Sequence, residues 1–304
     1  MSLIVLGTVA LDNIKTESGF RENLLGGSAS HFAMSARLFT KVHLVSIIGE
    51  DFPHKHIKFF NKNKIDLTSV LKRDGKTFHW HGEYKKGNYN HAITLETELG
   101  VLTSYSPQVA IEHRRLPYVF LANFDPDVQL QFLNLMHKPK FVGMDTMNLW
   151  INIKKDSVLN LMKRVDLFVA NEGEAAALTG ETNLIKAARA LRKMGPKFVV
   201  VKKGEHGVIF YSDKIKFSFP AYPIEEVVDP TGAGDTFAGA IMGYLTKTRK
   251  LDEKTFRKAL IYATTLSSFN VEGFSLDKTA PLTLHQVNQR MQSLLKFINP
   301  HHKG

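Results

Sequence analysis

Short runs of apolar, β-prone residues alternate along most of this chain with stretches in which apolar positions recur every three or four residues. Leu3–Val9, Val42–Ile48, Tyr118–Ala122, Phe141–Asp145, Val165–Ala170 and Phe198–Val201 read as buried strands. Between and after them, Ser30–Phe39, His54–Lys62, Val128–Met136, Leu149–Met162 and Glu172–Leu178 carry helical spacing. This alternation predicts an α/β fold: a mainly parallel sheet with helices on both faces. A different pattern holds in Thr77–Tyr84, which alternates around Phe78, Trp80 and Gly82, and in Asn90–Glu96. With the residues near Asp12–Leu25, these are expected to form a small β-sheet lid. The expected organisation is therefore one domain over 1–304, with a lid drawn from about 12–25 and 76–96. Val208–Tyr211 and Lys216–Phe219 read as a hairpin, and Phe256–Phe269 and Leu284–Phe297 as amphipathic helices.

Composition narrows the class. A chain of 304 residues, 43% hydrophobic and 23% charged, can bury a sizeable core. It shows no apolar run of membrane-spanning length and no secretory signal. With no cysteine, disulfides and thiol chemistry are excluded, and a cytoplasmic enzyme is the simplest fit. The formal charge of +11 favours anionic ligands, but the basic residues are dispersed and no aromatic-basic pattern of a nucleic-acid binder is present. A small-molecule substrate is expected, without a specific nucleic acid or a membrane as partner.

The most informative stretch is Asp229-Pro230-Thr231-Gly232-Ala233-Gly234-Asp235-Thr236-Phe237-Ala238-Gly239-Ala240. It follows the apolar Val227-Val228 and opens a helical pattern with Phe237, Ile241, Tyr244 and Leu245 on one face. The first N–H groups of a helix lack internal partners and carry partial positive charge. Small residues at Gly232, Ala233 and Gly234 let an anion approach them. Asp235 then falls in the first turn, beside that anion. A carboxylate there suits a base that takes a hydroxyl proton as the hydroxyl attacks a phosphoryl group. The plainer reading is a glycine-rich helix entry with a dipole-favoured acid.

The longer run closely resembles the carboxy-terminal signature of the ribokinase-like, or phosphofructokinase-B, carbohydrate kinases. That resemblance implies Asp235 as catalytic base and the Gly232-Ala233-Gly234 backbone as anion hole. It extends over nearly the whole chain in motif order. Asp12, just past the first strand, is either a turn residue or a ligand for substrate hydroxyls; the resemblance implies the latter. Gly26-Gly27 matches the family's amino-terminal glycine pair, which approaches the substrate. His31 stands where many members have Asn, and either contacts substrate or packs. Asn171 and Glu174, three residues apart, share a helix face. Locally they read as an N-cap with an acid in the first turn; the resemblance implies that they hold water around a magnesium–phosphate complex. Lys202, Gly204 and Gly207 form a turn that faces ATP in the family. Several members need a monovalent cation near the residue matching Asp229, which makes K+ an expected cofactor beside ATP and Mg2+.

The resemblance implies an ATP-dependent phosphotransferase acting on an alcohol group of a sugar or sugar-like molecule. A nucleoside kinase of the same family, and a catalytically weak nucleotide-binding regulator, are the alternatives. The lid is expected to close the site or to pair two copies. Asn123, Asp145 and Asn171 each follow a strand, so their side chains are expected to converge on one edge; by its local setting Asp145 reads as a helix cap. Trp150 stands where a basic residue is frequent, and no phosphate role is carried onto it. Gly75-Lys76-Thr77 is not a P-loop, because Val70 stands where the first glycine is required. Gly232-x-Gly234 lacks the third glycine of a dinucleotide fingerprint, with Phe237 in its place. His79 and His81 share a strand face but have no evident third ligand. The terminal His-His-Lys-Gly reads as a tail.

Overall fold

The computed structural model describes residues 2–299, so the terminal His-His-Lys-Gly lies outside the described residues. In chain order the first half runs β1 (Ser2–Leu6), β2 (Ala10–Thr16), β3 (Gly19–Gly26), α1 (Ser28–Ala36), β4 (Lys41–Gly49), α2 (His54–Lys62), β5 (Ile65–Arg73), β6 (His79–Glu83), β7 (Ile93–Glu98), β8 (Tyr118–Leu121), α3 (Pro126–Leu135) and β9 (Phe141–Asp145). The second half runs α4 (Asn148–Ile153), α5 (Lys155–Met162), β10 (Leu167–Asn171), α6 (Glu172–Thr179), α7 (Leu184–Lys193), β11 (Phe198–Lys202), β12 (Val208–Tyr211), β13 (Lys216–Phe219), α8 (Ala233–Thr248), α9 (Glu253–Asn270) and α10 (Leu284–Ile298).

Nine strands form the main sheet in the order β13-β12-β11-β10-β9-β8-β1-β4-β5. Pairing is parallel from β11 across to β5, and the β12–β13 hairpin adds an antiparallel edge. Side chains on both faces are buried. One face packs Phe32, Phe120, Phe237, Ile241 and Phe256 together; the other packs Phe132, Leu161, Phe168 and Leu191. That two-sided burial is why the strands read as continuous apolar runs. The sheet grows outward from β1 in both directions, to β4 on one side and β8 on the other. Ligands of open α/β sheets bind at such a reversal, beyond the carboxyl ends of the strands.

A second sheet, in the order β3-β2-β6-β7, uses residues 10–26 and 79–98, close to the lid segments expected from the sequence. Its β2–β6 pair is parallel and places Asp12 beside Trp80 and Ile14 beside Gly82. Its outer strand β7 is exposed along its length. No helix among the described residues is long and apolar enough to cross a membrane.

Three local expectations change. The edge strand β5 and the helix α7 were not foreseen. The single helix expected over Leu149–Met162 is two, α4 and α5. Lys154 between them leaves helical geometry (φ −139°, ψ 40°), and its ammonium is held by Asp125 at 2.7 Å and Asp127 at 2.6 Å.

Candidate active site

Successive strand ends deliver the polar groups. β9 ends on Asp145, β10 on Asn171 and β11 on Lys202. The loop entering α8 brings Gly232, Ala233, Gly234 and Asp235 to the same place. Lys202 lies against the first turn of α8: its Nζ is 2.6 Å from where a Cβ on Gly234 would stand. Asp145, Glu174 and Asp235 all feel Lys202, so three carboxyls, the first two buried and Asp235 half-buried, gather around one ammonium.

The amino-terminal end of α8 is partly free. Gly232 is the N-cap, in left-handed geometry (φ 73°). The N–H groups of Gly232 and Gly234 have no hydrogen-bond partner among the described residues, whereas that of Ala233 is spent on the Pro230 carbonyl at 3.2 Å. The loop itself is tied from behind. Asn270, at the end of α9, donates through Nδ2 to the Thr231 carbonyl at 2.7 Å. Its Oδ1 accepts from the Thr236 hydroxyl at 2.9 Å and lies 3.1 Å from His31 Nδ1. Asn270 was not singled out in the sequence, because nothing near it signals a loop about forty residues earlier.

Burial dominates the electrostatics. It pushes the Asp235 carboxyl up to about 7, against the opposing pull of Lys202 and of the residue's own N–H. Asp12 is pushed up to about 8 by burial and by Asp229, against a backbone hydrogen bond from Gly27. Asp145 is raised well above the carboxylate range by burial and by Asp235, and Glu174 is raised by burial. Removing a carboxylate from water disfavours its charged form, and each neighbouring anion adds to the effect.

Asp12 faces this cluster from β2. A Cβ on Gly26 would stand 1.8 Å from its carboxylate, so a side chain here would displace the Asp12 carboxylate. Asp229 is fully buried, and its two oxygens accept from the N–H groups of Thr231 and Ser275, both at 2.9 Å. Gly204 and Gly207 lie in the turn after β11, both at positive φ (53° and 90°), with Asn90 of the β6–β7 loop against Gly204. His31 is 1% exposed and lies directly under Gly232; burial lowers its imidazole to about 4, leaving it neutral.

Asn171 and Glu174 form a reciprocal capping box. Glu174 N–H donates to Asn171 Oδ1 and Asn171 N–H donates to Glu174 Oε2, both at 2.8 Å. Asp145 is not a helix cap, contrary to its local reading. α4 starts after Met147, and Asp145 instead turns inward with Oδ1 buried and without a hydrogen-bond partner. Asn123 does not join the cluster through its side chain, whose Oδ1 accepts from Trp150 Nε1 at 3.0 Å. His79 and His81 find no third metal ligand among the described residues.

The family pattern described as "pfkB family carbohydrate kinase" matches residues 4–281. The chain belongs to this family. It is a carbohydrate kinase in that sense, a phosphotransferase whose acceptor is an alcohol group of a sugar or nucleoside. A cytidine kinase of Thermococcus kodakarensis is 33% identical over 260 residues, covering 83% of this chain and 91% of that protein. The aminoimidazole riboside kinase of Salmonella enterica, solved with aminoimidazole riboside and an ATP analogue, superposes with a TM-score of 0.78 at 20% identity, covering 96% and 100% of the two chains. A ribokinase II-type structure from E. coli, solved with ATP and Mg2+, gives 0.78 at 18% identity over 96% and 99%. These two likenesses show that the PfkB kinase here has the ribokinase-like fold.

Proposed function

We propose that this PfkB kinase transfers the terminal phosphoryl group of ATP to a hydroxyl of a nucleoside, with Asp235 as general base. The observation that carries the reading is the first turn of α8: a half-buried carboxylate, two unpartnered N–H groups and the Lys202 ammonium in one place. As the acceptor oxygen attacks the terminal phosphorus, its proton passes to Asp235 and the bond to the bridging oxygen breaks, releasing ADP. The free N–H groups of Gly232 and Gly234 stabilise charge on the phosphoryl oxygens in transit. Lys202 offsets phosphate charge, and Gly204 and Gly207 let the backbone approach the nucleotide. Asp12 holds substrate hydroxyls beside Gly26-Gly27. Protonated at neutral pH, its carboxyl can donate one hydrogen bond and accept others.

The residues fit a divalent cation. Asp145 keeps a buried, unpartnered oxygen, and three carboxyls face one ammonium. Asn171 and Glu174 would hold Mg2+ through water, which their capping box leaves them atoms to do. Mg2+ would neutralise phosphate charge. Asp229, buried with no ion pair among the described residues, fits a monovalent cation such as K+.

A nucleoside is favoured over a bare sugar by Trp80. In register with Asp12, it leaves the same face of the second sheet, and its ring lies over Gly82 with Nε1 donating to Thr94 at 3.2 Å. An indole so held offers a platform for a base while Asp12 takes the ribose. Closure of this sheet would exclude water from the phosphoryl group. Its exposed strand β7, with Ile93 and Leu95 outward, also suits pairing with a second copy.

A panel of nucleosides and sugars, read by ADP release, tests the assignment. Turnover is expected with nucleosides, cytidine among them. In Asp12→Asn, KM for the acceptor should rise more than kcat falls. Turnover confined to free sugars would reject the nucleoside reading, and ATP binding without any turnover would favour the regulator.

The pH profile is a second test. Asp235 must be ionised to accept a proton, so kcat/KM should climb with pH through about 7. Lys202 lowers the Asp235 pKa by stabilising the anion. Lys202→Met therefore raises that pKa, and the rising limb should move to higher pH. Lys202 is not among the groups that set Asp12, so a limb unmoved in this variant would deny the assignment to Asp235.

A further inference from the structure

Away from this site, at the amino-terminal ends of β4 and β5, lies a second cluster of ligating side chains. His43 on β4 and Asp66 on β5 are cross-strand partners, and His113 comes from a 3₁₀ turn, Ile111–His113. One ligand atom from each can be chosen so that all lie within 4.8 Å of one another. Asp66 Oδ2 is 3.2 Å from His43 Nδ1 and 3.8 Å from His113 Nε2, and the two imidazole centroids are 4.1 Å apart.

The cluster is built by an irregularity. Between His43 and Val45 the β5 strand advances from Asp66 to Ser69, one residue more than β4. Such a bulge re-aims a side chain, and here it leaves Asp66 beside the two rings. Asp66 Oδ1 is occupied by the Thr68 N–H at 3.0 Å, so Oδ2 is the oxygen facing the histidines. Ser69 Oγ accepts from the Ala110 N–H at 3.1 Å and lies 3.4 Å from His113 Nδ1. A proton on that Nδ1 leaves Nε2 as a lone pair toward Asp66, the usual outer support of a metal-bound histidine.

An independent observation points to a missing partner. His43 is buried, yet neither of its ring nitrogens has a hydrogen-bond partner among the described residues; the short approach to Asp66 lacks hydrogen-bond alignment. Buried polar groups are ordinarily paired. We infer that His43, Asp66 and His113 bind a divalent transition cation of the zinc type, pinning the edge strand β5 to β4 and to the turn that carries His113. Two imidazoles and a carboxylate are a zinc donor set, with water as fourth ligand. The Lys41 ammonium, also 3.2 Å from Asp66 Oδ2, is more than half exposed and can swing aside.

The test is zinc titration of the chelator-treated full chain by competition with a chromogenic chelator, with Co2+ absorption as a report on the ligand field. One ion per chain is expected. His113→Ala and Asp66→Asn should each weaken binding at least about tenfold. Lys41→Met should tighten it, because the competing charge is gone, a change that a purely packing role would not produce. Zinc should raise Tm in the wild type and not in His113→Ala, while phosphotransfer stays unchanged in all three variants. If a ligand variant fails to fold, Lys41→Met and the Co2+ spectrum still decide. Stoichiometry below one, a Co2+ spectrum without tetrahedral character, or affinity that ignores Asp66, His113 and Lys41 overturns the site.

Discussion

Asp235→Asn is expected to lower kcat by about 100- to 10,000-fold, the range typical of a lost general base, while ATP binding survives. The substitution is nearly isosteric and keeps the side chain in the first turn of α8, so the backbone N–H groups stay where they are. It also removes one of three carboxyls around Lys202, which eases rather than increases repulsion of the phosphates. Binding of ATP, followed by calorimetry, should therefore hold or improve. The loss belongs to the proton-transfer step, so kcat and kcat/KM for the acceptor should fall together. A variant that turned over at close to the wild-type rate would remove Asp235 from the chemistry. A variant that lost ATP affinity instead would make it a binding residue.

What could be read in the chain before any coordinates was mostly what is local. The stretch from Asp229 to Ala240 carries its loop, helix start and acid within one dozen residues, and α8 begins within it, at Ala233. The β12–β13 hairpin and α2 likewise have the expected bounds, because turn residues and helical spacing are written into them. The misses are non-local. Asp145 is the last residue of a strand shortly before a helix, where an acid is ordinarily read as a cap. Only the approach of Lys202, Glu174 and Asp235, from three other elements, places it in the candidate cluster. β5 is not legible in the sequence, because an edge strand buries less and mixes polar with apolar residues. The His43, Asp66 and His113 cluster depends on the register of two strands and a bulge, which no spacing in the sequence specifies.

Gly232→Ala should have the second-largest effect, because two costs fall on one atom. At φ 73° a side chain is disfavoured by roughly 1–2 kcal/mol. The added Cβ would also stand 2.2 Å from the His31 ring, far inside contact distance. That ring is buried under the loop and held at Asn270, so it cannot swing away. Moving it disturbs Asn270, which also holds the Thr231 carbonyl, so the strain returns to the loop that enters α8. If the Gly232 and Gly234 N–H groups stabilise the transferred phosphoryl, their displacement should cost kcat about 100- to 1,000-fold, as for an oxyanion-hole donor. His31→Ala in the same chain would open the space but leave the positive φ, so the double variant should regain part of the lost Tm and less of the lost kcat. His31→Ala alone separates the two roles open to that residue. A packing histidine would leave the acceptor KM near wild type; one that touches the substrate would not. A Gly232→Ala protein with unaltered kcat would show that the loop's N–H groups take no part in phosphoryl transfer.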